Sequence, residues 1–163
     1  MKVLLLLQIT AVTLLLSNCQ NKFPEIDPNH SKNPITTITF GSCNRQTLAQ
    51  PLWQPITENK PDLWIWLGDN IYGDSDTMAV MKAKYDLQKA NIEYQKLTST
   101  TPIIGIWDDH DYGRNDAGKG YLMKKESKNL MLEFLGEPAI SERRMHEGAY
   151  HSYTYGPIAV KLR

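Results

Sequence analysis

The sequence predicts an α/β domain whose first sheet is largely parallel. Three observations carry that reading. Short β-rich runs alternate with helical patterns along the chain. Leu63 to Leu67 (LWIWL) is apolar without interruption, as a strand buried on both faces must be. Each of the first three such runs ends in a polar loop, which is where open α/β sheets place their ligands. The 163 residues, 41% hydrophobic and 22% charged, suffice for one ordinary core. Eighteen basic and eighteen acidic side chains balance, which argues against nucleic acid or a bulk anionic surface as the main partner. Two cysteines, Cys19 and Cys43, are too few for a disulfide framework.

The elements follow in order. Met1-Lys2 and the apolar stretch Val3 to Leu16 have the form of a signal peptide, residues 1–18, and are too short for a bilayer span of about 20 residues. Leu16-Ser17-Asn18-Cys19 resembles a lipobox, so Cys19 is the expected lipidation site, although Asn18 departs from the usual small residue; a plain secretory signal is the alternative. Either way the mature protein is exported, to the periplasm or to a lipid-anchored place at the bacterial envelope. Residues 19–35 carry Pro24, Pro28 and Pro34 among polar residues and form a tether. The domain occupies 36–163. Thr36 to Phe40 is a strand closed by Gly41; Leu48 to Glu58 is a short helix limited by Pro51 and Pro55. Leu63 to Leu67 is the buried strand, and Met78 to Leu97 is helical with a break near Asn91. Pro102 to Trp107 is a third strand. Lys124 to Leu135 is an amphipathic helix with Leu130, Met131, Phe134 and Leu135 inside and Lys124, Lys125, Lys128 and Glu133 outside. Tyr150 to Tyr155 and Ile158 to Leu162 are strands joined by a Gly156-Pro157 turn.

The polar loops are Gly41-Ser42-Cys43-Asn44-Arg45, Gly68 to Asp74 (GDNIYGD), and Asp108 to Asp116 (DDHDYGRND). Neighbouring strands would bring Asp69, Asp74, Asp108, Asp109, Asp111 and Asp116 together with only Arg45 and Arg114 to oppose them. So many carboxylates in one cleft are either partly protonated or share cations, and the thiol, phenol and imidazole in the same loops favour cations. Singly, each loop has an ordinary structural explanation: a turn, a buried cysteine, a helix cap with solvated charges.

Gly41-Ser42-Cys43, Leu67 to Tyr72 (LGDNIY), Trp107 to Asp111 (WDDHD) and Asn115 to Gly118 (NDAG), in that order, resemble the PhoD-like phosphatases within the calcineurin-like metallophosphatases. Lys124 to Lys128, Phe134 to Pro138 and Gly148 to Tyr155 extend the likeness to the last residue. The resemblance implies the N-terminal half of a metallophosphatase-type β-sandwich flanked by helices, hydrolysing phosphate esters by metal-activated water. It implies a site with Fe3+ and Ca2+, or another divalent metal. Asp69 would be the bridging carboxylate, Tyr72 a tyrosinate ligand and Cys43 a thiolate ligand; Asp109 would be a further metal ligand and His110 a catalytic contact to phosphate. Arg114, or else Arg45, would hold a non-bridging oxygen. Family members carry further metal-binding His and Asp residues in a Gly-Asp-x-His-like loop that has no match after Tyr155, so an N-terminal fragment with little turnover of its own is expected. The contrasting expectation is a non-catalytic envelope lipoprotein. Lys124 to Lys128 forms no basic patch for nucleic acid, and the membrane is a partner only through the lipid anchor.

Overall fold

The computed structural model describes residues 34–163. The expected signal segment, the lipidation site Cys19 and nearly all of the tether lie outside the described residues. Among those described, no helix is long and apolar enough to cross a membrane.

Strands β1 (Ile38–Gly41), β2 (Leu63–Leu67) and β3 (Ile103–Ile106) form a parallel sheet in the order β1-β2-β3, with Phe40 opposite Ile65 and Ile65 opposite Ile104. Side chains alternate across a strand, so β2 serves two cores at once. Trp64 and Trp66 face the helices and pack with Trp53, Tyr94 and Phe134; Leu63 and Ile65 face the other way, with Ile104, Tyr153, Tyr155 and Leu162. This is the two-sided burial that an unbroken apolar run predicts, met by the first four residues; Leu67, at the loop end, is exposed. Trp53 meets Trp64 and Trp66 edge-on at 5.1 and 5.4 Å, and the Trp66 indole N–H donates to the Tyr94 hydroxyl at 3.1 Å. Each such ring pair contributes about 1 kcal/mol beyond the area it buries.

The second core is closed by an antiparallel hairpin of β4 (His151–Tyr155) and β5 (Ile158–Leu162), turning at Gly156 with φ +57°. Sheet, hairpin and helices give the sandwich layering that the sequence predicts.

The helices refine the expectation. α1 spans Trp53–Glu58, not Leu48 to Glu58: Pro51 bars its predecessor from helical geometry, so the segment before it is a turn. α2 (Met78–Lys89) and α3 (Ile92–Thr98) are divided where expected, by Asn91, whose side chain accepts from the Tyr94 N–H. α4 (Asp109–Tyr112) and α6 (Glu142–Met145) are single turns that no periodicity announces. α5 (Lys124–Phe134) buries Met131, Leu132 and Phe134, but one assignment is corrected: Lys128 is buried, not solvated. Its ammonium donates to the carbonyls of Arg143, Arg144 and His146 at the end of α6. Those oxygens replace the water the charge has lost. Burial, followed by the charges of Arg143, Lys125 and Arg144, holds its pKa below the ordinary lysine value.

At the opposite end of the sheet from the polar loops, Asp62 ties the chain entering β1 to the loop entering β2. One of its oxygens accepts from the Thr36 and Thr37 N–H groups and the Thr36 hydroxyl at 2.8–2.9 Å. The Thr36 and Thr37 backbone bonds hold its pKa below the ordinary value. A lowered carboxyl stabilises the fold above its unfolded pKa, and that contribution disappears as pH falls through the folded value. Urea titrations should therefore show Asp62→Asn less stable than the parent at pH 6, the gap closing at pH 3 and below.

Candidate metal centre

All three polar loops sit at the carboxyl ends of parallel strands and are stitched to one another. The Cys43 N–H donates to the Gly68 carbonyl and the Asn44 N–H to that of Asp69. Gln46 grips Tyr72 twice: its amide accepts from the Tyr72 N–H at 2.9 Å and donates to the Tyr72 carbonyl at 3.3 Å. Gly73 and Asp74 both donate to the His110 carbonyl. Gly68 is needed for close approach, since its φ is +103° and a Cβ would lie 2.6 Å from that of Asp108. Cys43, Asp69, Asp74 and Asp116 all have left-handed backbones, with φ between +46° and +59°. Such strain persists only where the surroundings impose it, and it concentrates at functional sites.

The stitching brings Asp69, Asp109 and His110 together, one ligand atom from each lying within 4.8 Å of the others. The Cys43 thiol is 3.6 Å from Asp69 Oδ2. The Tyr72 ring lies against that of His110, tilted by 35° with centroids 4.1 Å apart. Five of the six residues expected at the site thus share one cluster. The contacts of the sixth, Arg114, lead elsewhere: its guanidinium pairs with Asp76 and its side chain is 70% exposed. The other arginine, Arg45, lies 4.2 Å above the Tyr72 ring.

The six acids that the loops bring together have separate tasks. Asp111 is fully buried and points away as a capping box, its two oxygens accepting from Asp108 N–H at 2.7 Å and Asn70 N–H at 3.1 Å. The cap expected as the ordinary alternative is present, although the last carboxylate of the run is buried. Burial pushes Asp111 up to about 8. Asp109 is held below its usual value, first by the Asp116 N–H donating to Oδ2 at 2.8 Å. Asp69 is raised, chiefly by burial and then by the charges of Asp109 and Asp108, with the His110 charge opposing. His110 loses some basicity to burial but gains more from Asp74, whose Oδ1 is 2.6 Å from Nδ1, and from the charges of Asp69 and Asp109; its net pKa is raised.

A carboxylate accepts only, so Nδ1 carries the proton and Nε2 is left for the site. Asp74 as the partner of His110 went unassigned in the sequence, although its place in the Asp69 loop was a signal. Gln46 and Asn70 gave none; an amide among loop residues looks the same whether or not it braces a site. Asn70 is fully buried, its amide donating to the Ile106 carbonyl at 2.9 Å.

The donor set suits a cation. Among the described residues Asp69 Oδ1 is buried without a hydrogen-bond partner, which costs several kcal/mol of the solvation it would have in water. A carboxylate has two diverging oxygens, and here one faces the thiol while the other is unclaimed. Oxygen, nitrogen and sulfur donors around an acidic centre can hold one or two multivalent ions.

No family model and no curated protein matches the sequence. Among solved structures, one described as "Structure of PhoD" superposes with a TM-score of 0.64 at 17% identity, over 82% of this chain and 32% of that one. The fold of this chain is therefore that of part of PhoD, and it spans about a third of that protein's length.

Proposed function

We propose that this chain carries the metal centre of a PhoD-like phosphoric-ester hydrolase. What supports the reading is Asp69: a buried carboxylate with an unclaimed oxygen, within ligand reach of Asp109 and His110, on a fold shared with PhoD. Ferric iron with calcium or another divalent ion is the set the sequence resemblance implies. Held there by Asp69, Asp109 and their neighbours, such cations would supply an activated water and charge to neutralise a phosphoryl group.

The protein's own residues have distinct work. Asp69 would hold the cations from both sides, its two oxygens diverging. Asp109 adds a carboxylate kept ionised by the Asp116 N–H. Cys43 and Tyr72 complete the anionic side; burial, then the charges of Asp69 and Cys43, raise the Tyr72 phenol against the pull of Arg45, so it is neutral without a metal. His110, its Nδ1 fixed by Asp74, presents Nε2 to a phosphate oxygen or a leaving group. Arg45 is better placed than Arg114 to hold a non-bridging oxygen, since it lies over the Tyr72 ring. Export and a lipid anchor at Cys19 belong to the same proposal and rest on sequence.

Because the chain spans a third of PhoD, binding is its own readout. Calorimetry of the purified chain with Fe3+, Mn2+ or Ca2+, followed by inorganic phosphate, should show phosphate binding only after metal. A chain that takes up neither metal nor phosphate is the non-catalytic lipoprotein instead. For the dyad, NMR titration of the metal-free chain should place the His110 imidazole above its ordinary value, and Asp74→Asn should lower it. Raised histidines stabilise the fold below the unfolded pKa and lose that contribution as pH rises through the folded one, so Asp74→Asn should cost stability at pH 5 and little at pH 9.

A further inference from the structure

The loop after β1 lies along the loop after β2 in a register that outlasts the strands. Cys43 meets Asp69, Asn44 meets Asn70 and Gln46 meets Tyr72, each pair 26 residues apart in sequence. The strands themselves pair only as far as Gly41 and Trp66, and beyond them two amide side chains extend the contact. Asn44 donates to the Asn70 carbonyl at 3.3 Å and to the side-chain oxygen of Gln88 at 2.7 Å, which moors the loop to a fully buried residue of α2. Gln46 is 7% exposed, and both ends of its amide go to the backbone of Tyr72.

A primary amide offers a donor and an acceptor side by side, as a peptide group does, so Gln46 acts on Tyr72 as one more rung of a ladder would. With its N–H and its carbonyl both held, Tyr72 keeps freedom only about its side-chain bonds. The ring is confined as well, by the Arg45 guanidinium 4.2 Å from its centroid and by the His110 imidazole. What remains is a phenol held where the charges of Asp69 and Cys43 act on it. A glutamine that merely kept the loop shut would change stability and nothing else.

We propose that Gln46 is a positioning residue of the metal centre: its double grip on the Tyr72 backbone sets where the phenol oxygen stands relative to Cys43 and Asp69, and so whether phenol and thiol can serve one cation. The inference rests on the metal-centre reading and adds to it the residue that fixes the phenol.

Ferric iron alone, added to the full chain, is the probe. A phenolate on Fe3+ gives a visible charge-transfer band whose resonance Raman spectrum carries phenolate ring modes, so the signal reports the Tyr72 oxygen and not the stability of the fold. Tyr72→Phe should abolish those modes. Gln46→Met, close to glutamine in size but with no N–H to give, should weaken the band by about half or more at saturating iron and lower Fe3+ affinity by about tenfold, as losing the support behind a ligand does. Gln46→Glu keeps the acceptor for the Tyr72 N–H and loses the donor; it should give an intermediate band, and it carries the test should Gln46→Met fail to fold. A band unchanged in the Gln46 variants, ring modes that survive Tyr72→Phe, iron bound without any such band, or loss of the fold in both Gln46 variants overturns the positioning role and leaves the metal reading standing. A parent chain that binds no iron overturns both.

Discussion

Asp69→Asn should lower metal affinity by at least a hundredfold and abolish any phosphate-ester hydrolysis the metal-loaded protein shows, while leaving the metal-free fold as stable as before or more so. The two halves of that result have one cause. Asp69 is buried beside Asp109 and Asp108, so its ionised form is disfavoured by lost solvation and by like charge. Its Oδ1 has no hydrogen-bond partner among the described residues. Asparagine keeps the shape and removes the charge, which relieves the metal-free fold and takes an anionic donor away from the group that could hold a cation. A site that costs stability without its ligand is common where function sets the sequence. The pH dependence has a definite sign. A raised carboxyl binds its proton more tightly in the folded state, so Asp69 should make the metal-free chain lose stability as pH rises from about 4 through its folded pKa, and Asp69→Asn should make that slope shallower, leaving the share that the raised Asp111 and His110 contribute. Metal must displace the same proton, so affinity should rise over the same interval. Thermal unfolding at pH 4 and pH 7, with metal and with chelator, measures all three. Unchanged metal binding in Asp69→Asn would remove the bridging assignment.

The second large effect lies away from the site. Arg143→Met should destabilise the fold by about 3–5 kcal/mol, the usual result of leaving one member of a buried ion pair behind. That is a large share of the roughly 5–15 kcal/mol by which small domains are stable. Arg143 is fully buried and serves three parts of the fold at once. Its guanidinium donates to the Gly105 carbonyl in β3, to that of Ala149 before β4, and to the Tyr153 hydroxyl on the hairpin, and it pairs with Glu137 at 3.6 Å. Tyr153 in turn donates to Glu137 at 3.2 Å. Removing the guanidinium strands Glu137, whose side chain is 7% exposed. The double variant Arg143→Met/Glu137→Gln should recover part of the loss, because no unpaired charge then remains buried. Urea unfolding of both variants decides the matter; a loss below 1 kcal/mol in the single variant would show that the network does not hold the hairpin to the sheet.

Much of the fold was legible in local pattern. The run LWIWL declared a strand buried on both sides, Asn91 divided the long helical stretch, and Gly156-Pro157 turned the hairpin. The loops were legible too, because cysteine, tyrosine, histidine and aspartate at successive strand ends are an uncommon conjunction. Lys128 was misread for an equally clear reason. Helical periodicity assigns a face to each position, but it does not reveal that a neighbouring helix end will present three carbonyls to an ammonium.

By itself, then, the sequence placed the strands to within two residues and showed which chemistry waits beyond them, since each depends on neighbours a few residues away. Tertiary structure alone decided which polar atom meets which. His110 found Asp74 across 36 residues, Arg143 reached Gly105 across 38, and Gln46 clasped Tyr72 across 26. Arg45, not Arg114, came to lie over the site phenol. Apolar burial is non-directional and leaves its trace as a periodicity, whereas a hydrogen bond or ion pair needs two particular atoms at one distance and angle, which only the finished packing supplies.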